Sequence, residues 1–404
     1  MKTTLYNKWV IGLFCVSLSL GGLLTLVTQA PAIGKTVISS MSQEITEATT
    51  PASKLFAAIT GFTSGIENGF KDSVFQKDFF VNWYGLGENL LGRHYIRDAN
   101  PSNTVLKDNH DILQFITFKL DQTHITNNLI NLKAQLDAVN IPLLFVQAPN
   151  KVIEGFTELP PSVEDYSNEN MDTLLASLKN GGVNYLDLRA LAKEDELDKE
   201  TLFYRTDHHW TNETALWATG KIIDAVNQQT NLNLDKNHII KDPSSFQYTT
   251  YKNVFLGSQG RRVGKYYAGL DDYTLITPTF NTDYTVTIHK SDGSRTYEGD
   301  FKAAILREDY LNMSDTVYTN RYASYFGGDY PEVIVENKLN TDGKKILIVK
   351  DSFAIPVSAY LSTAVQEVRM LDIRYNTIDD VEAYAKEHQV DMVIFLCKSM
   401  KPLA

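Results

Sequence analysis

The fold is decided by the stretch KILIVKDSF, residues 345–353, in which four aliphatic residues run from Ile346 to Val349. Such a run predicts a strand buried on both faces of a parallel sheet. Ser352 follows this strand, where a helix predicted over residues 353–365 begins. Its hydroxyl is therefore predicted at the carboxyl-terminal edge of the sheet, where α/β folds gather their active sites. The position equally suits Asp351 or Ser352 as a simple helix cap.

Helices and strands alternate on both sides of this stretch. Strands are predicted at 141–146, 183–188, 367–371 and 391–396, separated by helices at 125–139, 171–180 and 377–388. This alternation is typical of an α/β domain layered around a parallel sheet. The pattern changes over residues 245–335, where short strands are predicted at 273–276, 284–289, 294–297 and 316–318, with a hairpin turn at 291–294. We interpret 245–335 as a β-rich insertion hanging off the α/β core.

The composition narrows the class of protein. Of the 404 residues, 43% are hydrophobic and 22% are charged, as in an ordinary globular protein. The net charge of −11 opposes binding to nucleic acid. The two cysteines, Cys15 and Cys397, are too few for a disulfide framework or a cysteine-based zinc site.

The amino terminus predicts export. Lys2 and Lys8 precede an uncharged apolar run from Trp9 to Val27, which is long enough to cross a bilayer as a helix. Ala30-Pro31-Ala32 would also suit a signal peptidase. We therefore predict a signal anchor or signal peptide over 1–32, a tether over 33–60 and a catalytic domain over 61–404. Both alternatives place the rest of the chain outside the cytoplasm.

A second stretch, YRTDHHWTN at 204–212, carries the other candidate groups. Asp207 and His209 are two residues apart, before a helix whose cap is Thr211 or Asn212. A serine nucleophile needs a base, and an imidazole base needs an acid that holds its tautomer. One Asp-x-His loop supplies both. The alternatives are a structural loop and a zinc or iron site formed with His208. Because the sequence shows no further cluster to complete such a site, no metal is predicted.

Together the two stretches resemble the DHHW family, which is related to the alginate O-acetyltransferase group of SGNH-hydrolase-like proteins. The resemblance rests on Asp207–Trp210, on Ala148-Pro149-Asn150-Lys151 after a strand, and on Phe255–Ser258 with Gly260-Arg261-Arg262. It covers roughly residues 65–400. It implies a three-layer α/β/α core in which the Asp-x-His pair precedes the serine, a permuted order relative to ordinary SGNH esterases.

The resemblance also implies roles for individual residues. Ser352 would be the nucleophile, His209 the base and Asp207 the acid that orients it. Lys350 departs from the family pattern, which has glycine there, and this leaves the geometry of the turn open. Further candidates for the oxyanion hole or for substrate binding are Gly257, Ser258, Asn150, Lys151, Arg261 and Arg262.

The predicted function is that of an extracytoplasmic O-acetyltransferase or acetylesterase acting on a cell-surface or secreted polysaccharide. The resemblance implies a membrane-bound O-acyltransferase partner as acyl donor, and no cofactor is predicted. The alternative is a non-catalytic glycan-binding or scaffold protein of an envelope complex, for which the Lys350 departure is the main argument.

Overall fold

The computed structural model describes residues 2–47, 50–73, 76–161, 163–314, 316–341 and 343–398. Side chains are described for these residues except 2–15, 17, 18, 47, 52, 70–73 and 379. The chain divides into two compact units, Met1–Tyr84 and Gly85–Ala404. The sequence had placed the start of the folded domain at residue 61.

The first unit is helical. Helix α1 (Lys2–Glu47) packs against α2 (Pro51–Ser73), and α3 (Lys77–Leu90) begins in this unit and ends in the second. A Cβ atom on Gly61 or Gly65 would lie 2.6 Å from the Cα atom of Met41 or Val37, respectively. Glycines four residues apart on one helix face thus allow the two backbones to approach closely. Most of the segment predicted as a tether, 33–60, lies in α1 and α2. Its Ser-, Thr- and Ala-rich composition shows no clear helical periodicity, so the sequence did not predict these helices.

The predicted anchor is not tested by these helices. No helix is long and apolar enough to cross a bilayer among the residues whose side chains the structure describes. For much of the run at 9–27 the side chains are outside the described part of the structure, so the signal anchor stays a prediction.

The second unit is a mixed α/β domain. Its described helices are α4 (Thr123–Ala138), α5 (Ser167–Asn180), α6 (Leu188–Glu194), α7 (Lys199–Leu202), α8 (Asn212–Gln229), α9 (Ser258–Val263), α10 (Lys265–Ala268), α11 (Phe301–Ile305), α12 (Ala354–Leu361) and α13 (Val381–Glu387). Short 3₁₀ helices cover Pro101–Asn103, Pro243–Ser245, Glu308–Tyr310, Arg321–Ser324 and Ile378–Asp380. The strands are β1 (Tyr95–Ile96), β2 (Val105–Lys107), β3 (Leu113–Phe115), β4 (Leu143–Gln147), β5 (Tyr185–Asp187), β6 (Phe246–Phe255), β7 (Asp271–Pro278), β8 (Tyr284–Lys290), β9 (Gly293–Gly299), β10 (Glu332–Asn337), β11 (Lys345–Lys350), β12 (Glu367–Asp372) and β13 (Met392–Cys397).

Eight strands form the central sheet in the order β5-β4-β13-β11-β12-β10-β8-β9. In this order the first five strands, β5, β4, β13, β11 and β12, are parallel to one another. Alternate residues of β11 enter different cores: Ile346 and Ile348 pack with α8 and α12, while Leu347 and Val349 pack with α4, α5 and α13. The sheet therefore lies between two helical layers, which is the predicted three-layer α/β/α arrangement.

The β-rich insertion is built differently from the prediction. Its hairpin is present, because β8 and β9 pair antiparallel around Ser291 and Asp292. However, β8, β9 and β10 extend the central sheet through β12 and do not form a separate lobe. Among the described residues of the insertion, β6 and β7 pair apart from the central sheet, as a two-stranded antiparallel ribbon. The strand predicted at 316–318 is wrong, since these residues lie in a turn.

Candidate active site

Ser352 lies at the carboxyl-terminal edge of the sheet, between β11 and α12. The carboxylate of Asp351 accepts the Phe353 N–H at 2.9 Å and the Lys398 N–H at 2.8 Å. The turn is thereby tied to the end of the neighbouring strand, β13. Within the described part of the chain the Ser352 N–H has no acceptor, so it is free to donate to an oxyanion that develops beside the Ser352 hydroxyl.

Asp207 and His209 lie on a loop held at both ends. Phe203 and Trp210 form an isolated antiparallel bridge, and the Thr211 hydroxyl caps α8 directly afterwards. The fully buried Trp210 ring donates its Nε1–H to the carbonyl of Phe353 at 3.1 Å. This tryptophan therefore links the Asp-His loop to the Ser352 turn.

The structure brings Ser352, His209 and Asp207 into one hydrogen-bonded line. The His209 Nε2 atom is 2.7 Å from Ser352 Oγ, and His209 Nδ1 is 2.5 Å from Asp207 Oδ1. An ionised carboxylate only accepts, so Nδ1 carries the proton and Nε2 accepts from the hydroxyl. This is the tautomer that a general base for Ser352 requires.

Asp207 is held in place and kept ionised. Its Oδ1 also accepts the His209 N–H at 3.0 Å, and its Oδ2 accepts the Ser258 N–H at 2.6 Å. Burial opposes the charge, but His209, His208 and these hydrogen bonds outweigh it and hold the pKa of Asp207 well below its usual range.

Tyr322 is a site residue that the sequence did not reveal. Its ring stacks on the His209 imidazole, with centroids 3.8 Å apart and planes 10° apart. Its hydroxyl donates to the Ser352 carbonyl at 3.2 Å. It thus restrains both base and serine turn. Tyr322 belongs to no recognisable sequence motif. It lies on the 3₁₀ helix Arg321–Ser324, which is far in sequence from the Asp-His loop.

Gly257 and Ser258 lie beside Asp207, but their N–H groups are not free for an oxyanion. The Gly257 N–H donates to Thr206 Oγ1 at 2.7 Å, and that of Ser258 donates to Asp207. A Cβ atom on Gly257 would lie 2.2 Å from Asp207 Cβ, so only glycine fits. These hydrogen bonds hold the loop around Asp207, and a part of Gly257 and Ser258 in substrate binding stays a prediction. The Ser258 hydroxyl lies 2.7 Å from His208 Nδ1.

Asp271 braces the same loop from β7. Its carboxylate accepts the Arg205 N–H at 2.6 Å, the Thr206 N–H at 2.9 Å and the Thr206 hydroxyl at 2.5 Å. Burial raises the pKa of Asp271. No local sequence pattern marks Asp271 as a support of this loop, because only the fold brings β7 to it.

Asn150 and Lys151 follow β4 and turn inward. The Asn150 side-chain amide donates to Thr117 at 3.1 Å and to Ser167 at 2.8 Å. Its N–H groups are therefore used in hydrogen bonds within the fold. Lys151 instead reaches the carbonyls of the Asp-His loop.

Arg261 and Arg262 are engaged away from the hydroxyl of Ser352. Arg261 donates to the Leu256 carbonyl at 3.0 Å, whereas Arg262 lies 3.7 Å from Asp98. The structure therefore gives neither arginine a contact with the Ser352, His209 and Asp207 line.

Lys350 fits its position without strain. It ends β11 with a backbone outside the left-handed region, so glycine is not required there. Its side chain is 1% exposed, and its Nζ lies 2.6 Å from Asp329 and 3.0 Å from Asp372. Arg374 pairs with the same two carboxylates. Lys350 and Asp372 thus form the buried part of an ionic network that Asp329 and Arg374 extend toward the surface.

The Asp-His-His cluster was also a metal candidate. Ligand atoms of Asp207, His208 and His209 lie within 4.8 Å of one another. However, both ring nitrogens of His209 are occupied, by Asp207 and by Ser352. A metal ion would have to break that line, so these residues fit a proton-transfer site better than a metal centre.

Comparisons with known proteins agree with this architecture. Residues 118–247 match the family described as ALGX, an SGNH hydrolase-like domain of the acetyltransferase AlgX. The chain is similar to Bacillus cereus PatB1 solved with a sulfonyl adduct, at 21% identity and TM-score 0.59, over 73% of this chain and 93% of that one. It is also similar to a DHHW family protein from Eubacterium siraeum, at 19% identity and TM-score 0.54, over 76% and 93%. A sequence comparison with curated proteins finds no match.

Asp207 and His209 lie inside the matched range 118–247, and Ser352 lies beyond it. The match to the AlgX-type SGNH-hydrolase-like family confirms the predicted resemblance over residues 118–247. The likeness to PatB1 and to the DHHW family protein shows that the chain shares their fold.

Proposed function

We propose that the chain is an O-acetyltransferase or acetylesterase that acts on a polysaccharide through Ser352, His209 and Asp207. The observation that carries this proposal is the line in which His209 bonds Asp207 at 2.5 Å and Ser352 at 2.7 Å. The AlgX-type family description, which names an acetyltransferase, supports acyl transfer as the reaction class.

In the first half-reaction Ser352 takes the acetyl group. The Oγ atom attacks the acetyl carbonyl carbon while its proton passes to His209 Nε2, and the Ser352 N–H stabilises the oxyanion. The bond to the leaving oxygen then breaks, and that oxygen takes the proton from Nε2. Asp207 stabilises the imidazolium in between. The products are acetyl-Ser352 and the deacetylated donor.

In the second half-reaction an acceptor hydroxyl attacks acetyl-Ser352. Its proton passes to His209 Nε2, and the same proton returns to Ser352 Oγ as the ester bond breaks. A sugar hydroxyl as acceptor gives an O-acetylated polysaccharide, whereas water gives acetate. Transferase and esterase thus share one mechanism and differ in the acceptor.

The setting of the reaction is part of the proposal. We infer an extracytoplasmic location, with residues 9–27 as a membrane anchor or signal, because this run is apolar and uncharged after a basic start. An acetyl group must then be delivered across the membrane, and we propose a membrane-bound O-acyltransferase as its donor. The scaffold alternative rested on Lys350, which the fold accommodates without strain.

The test is hydrolysis of p-nitrophenyl acetate by the full chain in detergent. We expect Ser352→Ala, His209→Ala and Asp207→Asn each to lower kcat/KM by about 100-fold or more, with unchanged circular dichroism and no effect of EDTA. Wild-type activity that equals that of the variants would refute the Ser352 mechanism. Activity that EDTA abolishes and Ser352→Ala spares would favour the metal alternative.

A further inference from the structure

Lys151 places a buried ammonium among backbone carbonyls of the Asp-His loop. Its side chain follows β4 and is buried in the domain. The Nζ atom lies 2.8 Å from the Tyr204 carbonyl, 2.8 Å from that of Asp207 and 3.2 Å from that of Arg205. A fourth acceptor, the side-chain oxygen of Gln259 on α9, is 3.0 Å away. All four oxygens converge on one nitrogen.

The number of acceptors matters because the protonation state of the lysine decides how many it can serve. An ammonium has three N–H donors and no lone pair, whereas a neutral amine has two donors and an acceptor. With four oxygens around Nζ, loss of the proton leaves at least one carbonyl without its partner and turns a lone pair toward the others. A buried carbonyl that loses its donor destabilises the loop, because no water replaces the lost hydrogen bond.

The position of these carbonyls links Lys151 to the reaction. The Asp207 carbonyl belongs to the residue that orients His209, and Tyr204 and Arg205 lie just before it, after the Phe203–Trp210 bridge. A shift of about 1 Å at such a support is enough to cost about 100-fold in rate. We propose that Lys151 is a positioning residue whose charged form holds the Asp207–His209 loop against Ser352, so that its deprotonation switches the site off.

The surroundings of Lys151 make such a switch accessible near neutral pH. Desolvation by burial lowers the pKa of Lys151 to about 7, against the opposing effect of Asp271, Asp207 and Asp108, while Lys398 adds to the lowering. His208 also lies near this group, and burial holds its pKa well below the usual range. Activity should therefore fall as pH rises through about 7.

This inference rests on the proposed function, and its first test uses the same assay. We expect Lys151→Met to lower kcat at least about 30-fold with KM changed less than about threefold, and to remove the alkaline decline from what activity remains. Lys151→Arg keeps its charge at every working pH, so it should retain more activity than Lys151→Met and show no decline up to pH 9. Lys107→Met is the matched control, because Lys107 is also buried and bonds the Tyr267 carbonyl and Asn89 away from the loop.

A wild-type profile that is flat from pH 6 to 9 would overturn the inference without any variant. So would an unchanged alkaline decline in Lys151→Arg, or an equal loss of kcat in Lys107→Met.

A second readout is independent of turnover. The His209 Nδ1–H, bonded to Asp207 at 2.5 Å, should give a proton resonance far downfield of the amides that is missing in His209→Ala. We expect this resonance to weaken in wild type above pH 7 and to be absent in Lys151→Met, but to persist in Ser352→Ala. If it behaves so in a chain without esterase activity, the proposed function fails and the positioning role stands. A resonance insensitive to both pH and Lys151→Met would overturn the role of Lys151.

Discussion

At the scale of single residues, the space around Asp207 makes a sharp prediction for Gly257. An added Cβ would meet Asp207 Cβ at 2.2 Å and its Oδ2 at 2.6 Å, so the carboxylate must move away from His209. We expect Gly257→Ala to lower kcat by about 100-fold, the effect of a small misplacement of a catalytic group. The control is Gly87→Ala on α3, where an added Cβ has no neighbour within 4 Å. Esterase assays in which both variants match wild type would contradict the packing described for Asp207.

Lys350 makes a prediction about stability. Its ammonium pairs with two carboxylates, those of Asp329 and of the fully buried Asp372. Lys350→Met would leave Asp372 with Arg374 alone, so we expect a loss of about 3 kcal/mol in the free energy of unfolding measured with urea. Lys252→Met, which removes an exposed partner of Asp272, should change this free energy by less than about 0.5 kcal/mol. If Lys350→Met and Lys252→Met lowered the free energy of unfolding by the same small amount, Lys350 would be dispensable for stability.

The sequence located the central groups of the site but not their supports. Asp207 and His209 share one short loop, and Ser352 directly follows an aliphatic strand, so both carry a local signal. Tyr322 and Asp271 act through a ring stack and a carboxylate that only the folded chain brings to that loop. Gly257 and Ser258 also lie beside this loop, but their N–H groups donate to Thr206 and Asp207, and such hydrogen-bond partners cannot be deduced from one sequence.

At the scale of secondary-structure elements, the helix pair α1–α2 depends on its glycines. A Cβ on Gly65 would lie 2.6 Å from the Val37 Cα, a backbone atom that cannot move aside cheaply. We expect Gly65→Ala to destabilise the pair by about 1–3 kcal/mol, seen as faster amide hydrogen exchange in α1 and α2. Gly34→Ala, where an added Cβ meets nothing within 4 Å, should leave the exchange unchanged. Unchanged exchange in Gly65→Ala would exclude this close packing.

The strands that were predictable are those with a continuous apolar run. The four strands β4, β11, β12 and β13 lie within a few residues of their predicted positions, because burial on both faces demands such runs. The hairpin β8–β9 followed from its turn. That this hairpin joins the central sheet could not be predicted, because the pairing of β10 with β12 joins segments apart in sequence and leaves no local pattern.

At the scale of the whole molecule, pH should affect stability and activity in opposite directions. Lys151 has a pKa of about 7 in the folded chain, below its unfolded value of about 10.4, so the unfolded chain binds more protons between these values. Its contribution to the free energy of unfolding therefore rises with pH over this window, while activity falls. The difference in this free energy between wild type and Lys151→Met, measured with urea at pH 6 and pH 9, should favour wild type more at pH 9. A difference independent of pH would mean that Lys151 does not titrate in this range.

The account as a whole rests on a covalent acetyl group at Ser352. The most direct measurement is mass spectrometry of the full chain, quenched in acid during turnover of p-nitrophenyl acetate and digested for peptide mapping. We predict one acetyl group on Ser352 in wild type, little or none in His209→Ala, and none at this position in Ser352→Ala. A turning-over enzyme with no acetyl at Ser352, or with equal labelling in His209→Ala, would contradict the mechanism in which His209 and Asp207 activate this serine.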